Sequence, residues 1–237
     1  MPSKDFIVDE NLAVTVYKRR GSRNLSLRIV AGGNVRVTIP AWVSYKTGVD
    51  FAKSKQEWIL KHKTNDRHLL HGQAVGKSHH LRFNASISAS SVKSRVMPNE
   101  IFITYPIYEN PLSQQVQRVA QEASVKALRL QAEQLLPQRI AELAAKHGFK
   151  YGSISVKRLK SRWGSCDQNK NIALNLFLMQ LPWQLIDYVI LHELVHTQVL
   201  KHGPDFWKSF SRVCNDPKAL RKQMRSYRPI INGAQTI

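Results

Sequence analysis

The stretch LHELVHTQVLKHGPDFW, residues 191–207, places three histidines and one glutamate among mostly apolar residues. His192 and His196 are four residues apart. On a helix, their imidazoles therefore project from the same face, one turn from each other. Two neutral imidazoles in this arrangement can bind one zinc ion at about 2.0–2.1 Å each. The spacing predicts a metal site built on a helix.

Glu193 directly follows the first of these histidines. It lies about 100° around the helix from His192, which places it poorly for direct coordination. It can nevertheless reach a water bound to the metal. Zinc lowers the pKa of such a water from about 15.7 to about 7, so Glu193 can take its proton and later deliver it to a leaving amine. The pattern predicts hydrolysis with Glu193 as the catalytic base.

A catalytic zinc ion typically has three protein ligands and one open position, so a third ligand is needed. No glutamate follows Glu193, and Asp205 is the nearest later acid. On a continuous helix His202 would point away, about 280° around from His192. The chain must therefore leave the helix near residues 199–201, where the sequence KHGP suits a turn. The sequence favours His202 over Asp205. The remaining histidines are expected at the surface: His62, His68, His71, His79, His80 and His147.

The charge of the chain is unusual, because 36 Lys and Arg stand against 16 Asp and Glu for a net charge of +20. The excess is spread along the chain, with 17 basic and 8 acidic residues in 1–110 and 19 and 8 in 111–237. A polyanionic partner is therefore predicted, and nucleic acid is favoured. DNA, RNA, the ribosome and anionic lipid all fit. The candidate phosphate contacts are KRRGSR (18–23), KSKQEWILKHK (53–63), KRLKSR (157–162) and KALRKQMR (218–225).

Composition disfavours several protein classes. The 43% hydrophobic and 22% charged content is ordinary for a globular protein. No apolar run approaches the roughly 18–20 residues that cross a bilayer, so no membrane partner is expected. The N-terminus lacks the apolar block of a secretory signal, and the two cysteines, Cys166 and Cys214, do not indicate a disulfide framework. The sequence predicts a soluble, cytoplasmic protein.

Alternation of apolar and polar residues predicts strands in the first part of the chain. GGN at 32–34 predicts a hairpin turn, and residues 49–63 predict one helix. YPIYENPLSQ, residues 105–114, looks like a junction between two portions. The predicted strands are residues 14–20, 25–30, 35–40, 79–83, 87–90 and 101–106.

From Pro111 onward the apolar residues recur at helical spacing. Pro137 is expected to kink or split this helix, and Gly148 is a natural C-cap. Pro182 then opens a helix that is predicted to run to residue 200. The predicted strands between these helices are residues 154–159 and 171–178, with a short strand or turn in RWGSCDQNKN between them.

The chain resembles the YgjP-like metallopeptidases, small zincins related to the SprT-like and WLM proteases. The resemblance rests on RLKSRWGSC (158–166), NIALNLFLMQLP (171–182), LIDYVILHELVH (185–196) and KHGPDFW (201–207). The widespread zincin motif H-E-x-x-H-x-x-G-x-x-H has glycine at the bend, where this chain has Val199. The YgjP-like family also lacks that glycine. The resemblance implies a zinc-dependent peptidase. The pattern of strands and helices predicts an α+β fold. A strand-rich N-terminal portion (1–110) would precede a helical zincin-like catalytic portion (111–237).

In zincins generally, an exposed strand beside the active helix pairs with an extended substrate backbone. The resemblance implies that residues 163–166 or the strand 173–177 serve this purpose, unless this hairpin only packs against the helix. Cys166 is either a fourth ligand or, more simply, a buried thiol. Arg162 and Tyr227 are candidates for stabilising the oxyanion. The candidate substrate-binding residues are Trp163, Gly164, Ser165 and Asn175.

Two other functions fit parts of the pattern. Some small metal-dependent endoribonucleases hold a metal with histidines at the same spacing, but they have glycine where this chain has Glu193. A nucleic-acid-binding module with structural zinc is the other alternative, although structural zinc usually has four protein ligands. The sequence favours a peptidase, whose targets could be proteins associated with nucleic acid.

Overall fold

The computed structural model describes residues 2–9, 12–29, 35–63 and 68–227, with the backbone alone for residues 60–63. The chain divides into two compact units between His68 and Leu69. The junction expected near residue 110 lies within the second unit, where strand gives way to helix. The division into 1–110 and 111–237 stays a prediction about domains. The predicted α+β class is confirmed, since both sheets and helices are present.

In its described residues, the first unit contains one four-stranded sheet with the order β1-β2-β4-β3 and two helices. The strands β2 and β4 are parallel, and the other neighbours are antiparallel. Alternate residues of the sheet are buried together with Ala52 and Ile59 of the helices. Hydrophobic burial on one sheet face therefore holds this unit together. Its elements are β1 (Ser3–Asp9), β2 (Leu12–Arg19), β3 (Ser26–Ile29), β4 (Val35–Pro40), α1 (Tyr45–Ser54) and α2 (Gln56–Lys63).

The second unit contains two sheets, four α-helices and one 3-10 helix among its described residues. One sheet has the order β5-β6-β8-β7, and the smaller one has the order β10-β11-β9. The elements are β5 (Ala74–Val75), β6 (His79–Ser86), β7 (Lys93–Val96), β8 (Glu100–Pro106), α3 (Gln114–His147), β9 (Ile154–Lys157), β10 (Gly164–Cys166), β11 (Ile172–Asn175), a 3-10 helix (Leu176–Gln180), α4 (Trp183–His196), α5 (Pro204–Val213) and α6 (Pro217–Met224).

The long helix α3 supports the part of the second unit that carries the predicted metal site. Ser113 caps its start by accepting a hydrogen bond from the Val116 N–H, and Gly148 ends it in the left-handed conformation, as predicted. Pro137 does not split the helix, because the flanking Leu136 and Ile140 are buried and packing holds both halves in place.

A bidentate ion pair joins α3 to α4. The Arg139 Nε and Nη2 atoms donate to the two carboxylate oxygens of Asp187 at 2.7 and 2.6 Å. Planar guanidinium and carboxylate groups favour this paired geometry, which also fixes orientation. The contact therefore helps to set the helix that carries the metal-ligand candidates against the scaffold.

Several sequence-based boundaries were wrong. Residues 49–63 form two helices rather than one, because Lys55 leaves the helical conformation at the end of α1. Residues 87–90 form no strand, whereas β1 and β7 were not predicted. The strand predicted at residues 171–178 ends at Asn175, whose side chain caps the 3-10 helix that follows. The turn expected at 32–34 lies outside the described residues.

None of the described helices is long and apolar enough to span a bilayer. The predicted surface position holds for His68, His71 and His80, and His147 is half-buried. The prediction was wrong for His79, which is buried against α3, where its Nδ1 lies 2.7 Å from the Gln131 amide nitrogen. The side chain of His62 is outside the described part.

The turn between β5 and β6 packs tightly against α3. The buried Gln131 amide donates to the Val75 carbonyl at 3.0 Å and accepts from the Lys77 N–H at 2.5 Å. Gly76 between them has a φ of +70°, and a Cβ there would lie 2.3 Å from Gln131 Oε1 and 2.7 Å from Leu128 Cδ2. Only glycine fits this position without displacing the glutamine.

We therefore expect Gly76→Ala to destabilise the protein by more than the about 1–2 kcal/mol that left-handed backbone alone costs a residue with a Cβ. Gly72→Ala is the matched control, because Gly72 has a φ of +79° and a Cβ there would have no described atom within 4 Å. Urea unfolding of both variants measures the difference. Equal losses of stability would show that the steric clash of the added methyl group with Gln131 does not destabilise the protein further.

Candidate active site

Helix α4 brings His192 and His196 onto one face, as the spacing predicts. The helix ends at His196, four residues earlier than expected, and the next residue, Thr197, donates its hydroxyl to the Leu194 carbonyl at 2.7 Å. The chain then turns and returns His202 to the same place. The Nε2 atoms of the three rings lie 2.9, 3.1 and 3.2 Å from one another. The three imidazoles thus converge through the same type of nitrogen.

This donor set fits a tetrahedral metal ion. Ligand nitrogens at about 2.0–2.1 Å from zinc would be about 3.4 Å apart in ideal tetrahedral geometry, close to the observed separations. Among the described residues, these are the only cluster of three histidine, cysteine or carboxylate side chains suited to hold an ion. Burial, together with the neighbouring His196 and His202, lowers the pKa of His192 to about 3. Burial also lowers the pKa of His196. Neutral imidazoles are the form that coordinates metals.

The ring orientations are fixed in two ways. His196 Nδ1 lies 3.0 Å from the Val199 carbonyl, a contact that places the proton on Nδ1 and leaves the Nε2 lone pair free. His192 Nδ1 is buried without a hydrogen-bond partner among the described residues. Packing rather than hydrogen bonding therefore orients the His192 ring.

The fully buried Phe206 supplies that packing. Its ring centroid lies 4.8, 4.6 and 4.7 Å from the ring centroids of His192, His196 and His202. Phe206 comes from α5, whose first residue is Pro204. One phenyl ring therefore contacts all three imidazoles and keeps them together.

Trp207, the residue after Phe206, stacks on His202 with the ring planes 30° apart. Arg221 of α6 lies over the Trp207 ring, 5.3 Å from its centroid. His202 is exposed. Stacking on Trp207, together with the contact with Phe206, therefore helps to keep this exposed imidazole in position.

Glu193 is 5% exposed and lies against β10. A Cβ on Gly164 would be 2.7 Å from Glu193 Oε1 and 2.8 Å from its Cγ, so a larger residue there would displace the carboxylate. Burial raises the pKa of Glu193 to about 7, against a smaller opposing effect of the Arg162 charge. A carboxyl group with this pKa can both accept and release a proton near neutral pH.

A cleft of about 430 Å³ opens over these groups. Trp163, Gly164 and Ser165, predicted to bind substrate, line it together with Arg162 and Cys166. Tyr188 also lines it and was missed, although it lies one helical turn before His192, a spacing that could have revealed it. The other lining residues are Val189, His192, Glu193, His196, Leu200, His202 and Met224.

The strand β10 forms one edge of its sheet. Asn175 N–H donates to the Trp163 carbonyl at 2.9 Å, and Asp167 N–H donates to the Asn171 carbonyl at 3.0 Å. Because backbone groups alternate along an antiparallel strand, those of Gly164 and Cys166 point away from β11. β11 lies between β10 and β9 and is fully buried, so only β10 of the two candidate strands has a free edge.

Asn175 lies behind the cleft rather than in its lining. Its buried side-chain amide donates to the carbonyls of Leu159 and Arg162 at 3.0 and 2.9 Å, and its oxygen accepts from the Phe177 N–H at 3.2 Å. It therefore positions the segment that leads into β10.

Three further candidates differ in their placement. Asp205 is exposed in the first turn of α5 and is not part of the histidine cluster, and Tyr227 is not among the lining residues. Cys166 lines the cleft but lies outside the cluster. Burial raises the pKa of its thiol to about 11, with a smaller contribution from the Glu193 charge.

Comparison with known proteins gives one extended match. The family model for the YgjP-like metallopeptidase domain matches residues 23–227. No curated protein matches the chain.

Two solved structures show partial likeness, and both are described as metallopeptidase zymogens. Jannalysin of Methanocaldococcus jannaschii is 21% identical to this chain. The match covers 38% of this chain and 92% of the jannalysin chain, with a TM-score of 0.34. Abylysin of Pyrococcus abyssi is 16% identical to this chain. The match covers 39% of this chain and 93% of the abylysin chain, with a TM-score of 0.36. The assignment rests on the family match: this chain belongs to the YgjP-like metallopeptidases.

Proposed function

We propose that the protein is a zinc-dependent endopeptidase in which His192, His196 and His202 bind the ion and Glu193 is the catalytic base. The convergence of three Nε2 atoms within 3.2 Å of one another, beside a buried carboxylate, carries this proposal. Three nitrogen donors in a tripod, with an open side toward a cleft, suit catalytic zinc. Harder cations such as Mg²⁺ and Ca²⁺ prefer oxygen ligands.

Zinc bound there would act as a Lewis acid and would lower the pKa of a coordinated water to about 7. Glu193, whose pKa is raised to about 7, accepts a proton from the attacking water and transfers it to the leaving amine. Arg162 is the one lysine or arginine among the described lining residues. Its positive charge is suited to stabilise the carbonyl oxygen as negative charge develops on it.

The substrate would bind as an added strand along β10. The outward N–H and C=O groups of Gly164 and Cys166 are placed to hydrogen-bond an extended peptide beside the cleft. Main-chain pairing of this kind holds many sequences with little side-chain preference. Trp163 and Ser165 then contact substrate from the cleft wall, whereas Asn175 acts by holding this segment.

The two alternatives explain less of the site. A metal-dependent ribonuclease gives no role to the buried Glu193 or to the strand edge. Structural zinc usually has four protein ligands, whereas this cluster has three beside an open cleft. The net charge of +20 supports proteins associated with nucleic acid as targets of the peptidase.

Glu193→Gln should lower proteolysis of unfolded protein substrates by about 10²–10⁴-fold, the usual contribution of a general acid–base group. Bound zinc should remain, because no ligand is changed. Peptidase and ribonuclease assays with metal analysis test this, before and after chelation. Glu122→Gln, on the solvent side of α3, is the matched control. Full proteolytic activity in Glu193→Gln would remove the assigned base, and ribonuclease activity lost with the metal would favour the nuclease.

Gly164→Ala should lower kcat strongly with zinc retained, because the added methyl group would lie 2.7 Å from Glu193 Oε1. Gly203→Ala is the matched control, since Gly203 adjoins His202 but has no described atom within 4 Å of a Cβ. Steady-state kinetics and metal analysis of both variants measure the effect. Unchanged kcat in Gly164→Ala would mean that the position of Glu193 is unimportant.

Cys166→Pro should raise KM for peptide substrates by about tenfold or more, because proline removes an outward N–H without breaking the ladder to β11. Cys166→Ala keeps that N–H and removes only the thiol, so its KM should match that of the wild type. Initial-rate kinetics with an extended peptide separate the two variants. Equal KM values in all three proteins would contradict strand addition, and lost zinc in Cys166→Ala would make the thiol a ligand.

A further inference from the structure

The sheet of the first unit has a basic face that its core does not use. Helices α1 and α2 pack on the side that buries the alternate apolar residues. The intervening side chains lie on the opposite side, which we call the open face. Its central residues are Thr15 and Tyr17 of β2, Arg36 and Thr38 of β4, and Ser26 and Arg28 of β3.

Two arginines on the open face are direct neighbours. Arg28 and Arg36 are opposite each other in the antiparallel β3–β4 pair. Like charges directly opposite one another destabilise a sheet. Neither arginine has an ion-pair partner within the part of the chain that the structure describes. The repulsion between the two charges destabilises the folded sheet, and such locally unfavourable arrangements are typical of functional sites.

An aromatic ring holds one of these charges in place. The Arg36 guanidinium carbon lies 3.8 Å from the centroid of the Tyr17 ring. Such contacts are attractive and reduce the freedom of the arginine side chain. The exposed Arg19 continues the face at the end of β2, and the exposed Arg20 and Arg23 follow in the connection to β3.

We propose that the open face binds single-stranded nucleic acid, independently of the peptidase site. Guanidinium groups recognise phosphate with paired hydrogen bonds, and both they and aromatic rings stack on unpaired bases. The hydroxyls of Thr15, Thr38 and Ser26 add hydrogen-bonding groups of the kind that contact phosphate and sugar. Four strands about 4.8 Å apart form a platform rather than a projection that enters a duplex groove. An anionic membrane is a poorer match, because membrane-binding faces insert several large apolar side chains. On the open face, the exposed Ile7 at the β1 edge is flanked by polar central residues.

The test uses the full-length protein and a fluorescent oligo(dT) of about 20 nucleotides, with binding followed by anisotropy over a range of salt concentrations. Arg28→Gln/Arg36→Gln should weaken binding by about tenfold or more. For this variant, the slope of log K against log salt concentration should be shallower by about 1.4, because each phosphate contact on a single strand contributes about 0.7 to the slope. Thermal unfolding should occur at the same or a higher temperature, because the variant removes a repulsive pair.

Lys4→Gln/Lys46→Gln is the matched control, because it removes the same charge from two exposed positions on the helical side of the sheet. Lys46 lies on α1, and the Lys4 ammonium lies 5.3 Å from the centroid of the Tyr45 ring of that helix. It should bind nearly as the wild type does. Equal loss of affinity in both double variants would overturn the proposal, because binding would then depend on the overall positive charge rather than on the open face. Preference for a duplex of equal length, or for phosphatidylserine vesicles over the oligonucleotide, would also overturn it. Glu193→Gln should bind oligo(dT) normally, so failure of the peptidase proposal and failure of this one are distinguishable.

Discussion

The contact of one phenyl ring with three imidazoles is the interaction on which the candidate active site depends. Only His196 among the three has a backbone hydrogen bond that fixes its ring, and the Nδ1 atom of His192 is buried without a partner among the described residues. Phe206 contacts all three rings, with its centroid within 4.8 Å of each imidazole centroid, and Trp207 adds stacking on His202 alone. Because packed interiors resist displacement, the Phe206 ring fixes the geometry of the proposed metal site.

A second constraint links catalysis to substrate binding. Glu193 is buried because β10 lies directly against α4, and that closeness is possible because residue 164 has no side chain. The same strand has a free edge beside the cleft. Asn175 connects these features, since its amide holds the carbonyl of Arg162, next to Trp163 at the entrance to β10. One short strand therefore determines both the surroundings of the proposed base and the path proposed for the peptide.

The sequence predicted the parts of this site that depend on local spacing. The separation of His192 from His196 and the turn that returns His202 follow from helical geometry and local turn propensity. The early end of α4 was not predicted, because apolar periodicity does not encode the local contacts found there, in which the Thr197 hydroxyl donates to the Leu194 carbonyl and the His196 ring contacts the Val199 carbonyl. The division after His68 was also hidden, since the change from alternating to helical periodicity near residue 110 is the stronger local signal. Long-range packing likewise explains why His79 is buried.

The proposed mode of substrate binding leaves selectivity to be explained. An edge strand pairs with the backbone of many unfolded segments, so the cleft alone distinguishes substrates poorly. A second binding surface can supply selectivity by raising the local concentration of chosen proteins, without any new contact at the cleft. The open face, with paired Arg28 and Arg36 and the nearby Tyr17, would provide such a surface if it binds nucleic acid as proposed. Proteins bound to the same strand would then be cleaved in preference to free proteins of equal sequence, a dependence that salt would weaken because phosphate contacts are ionic.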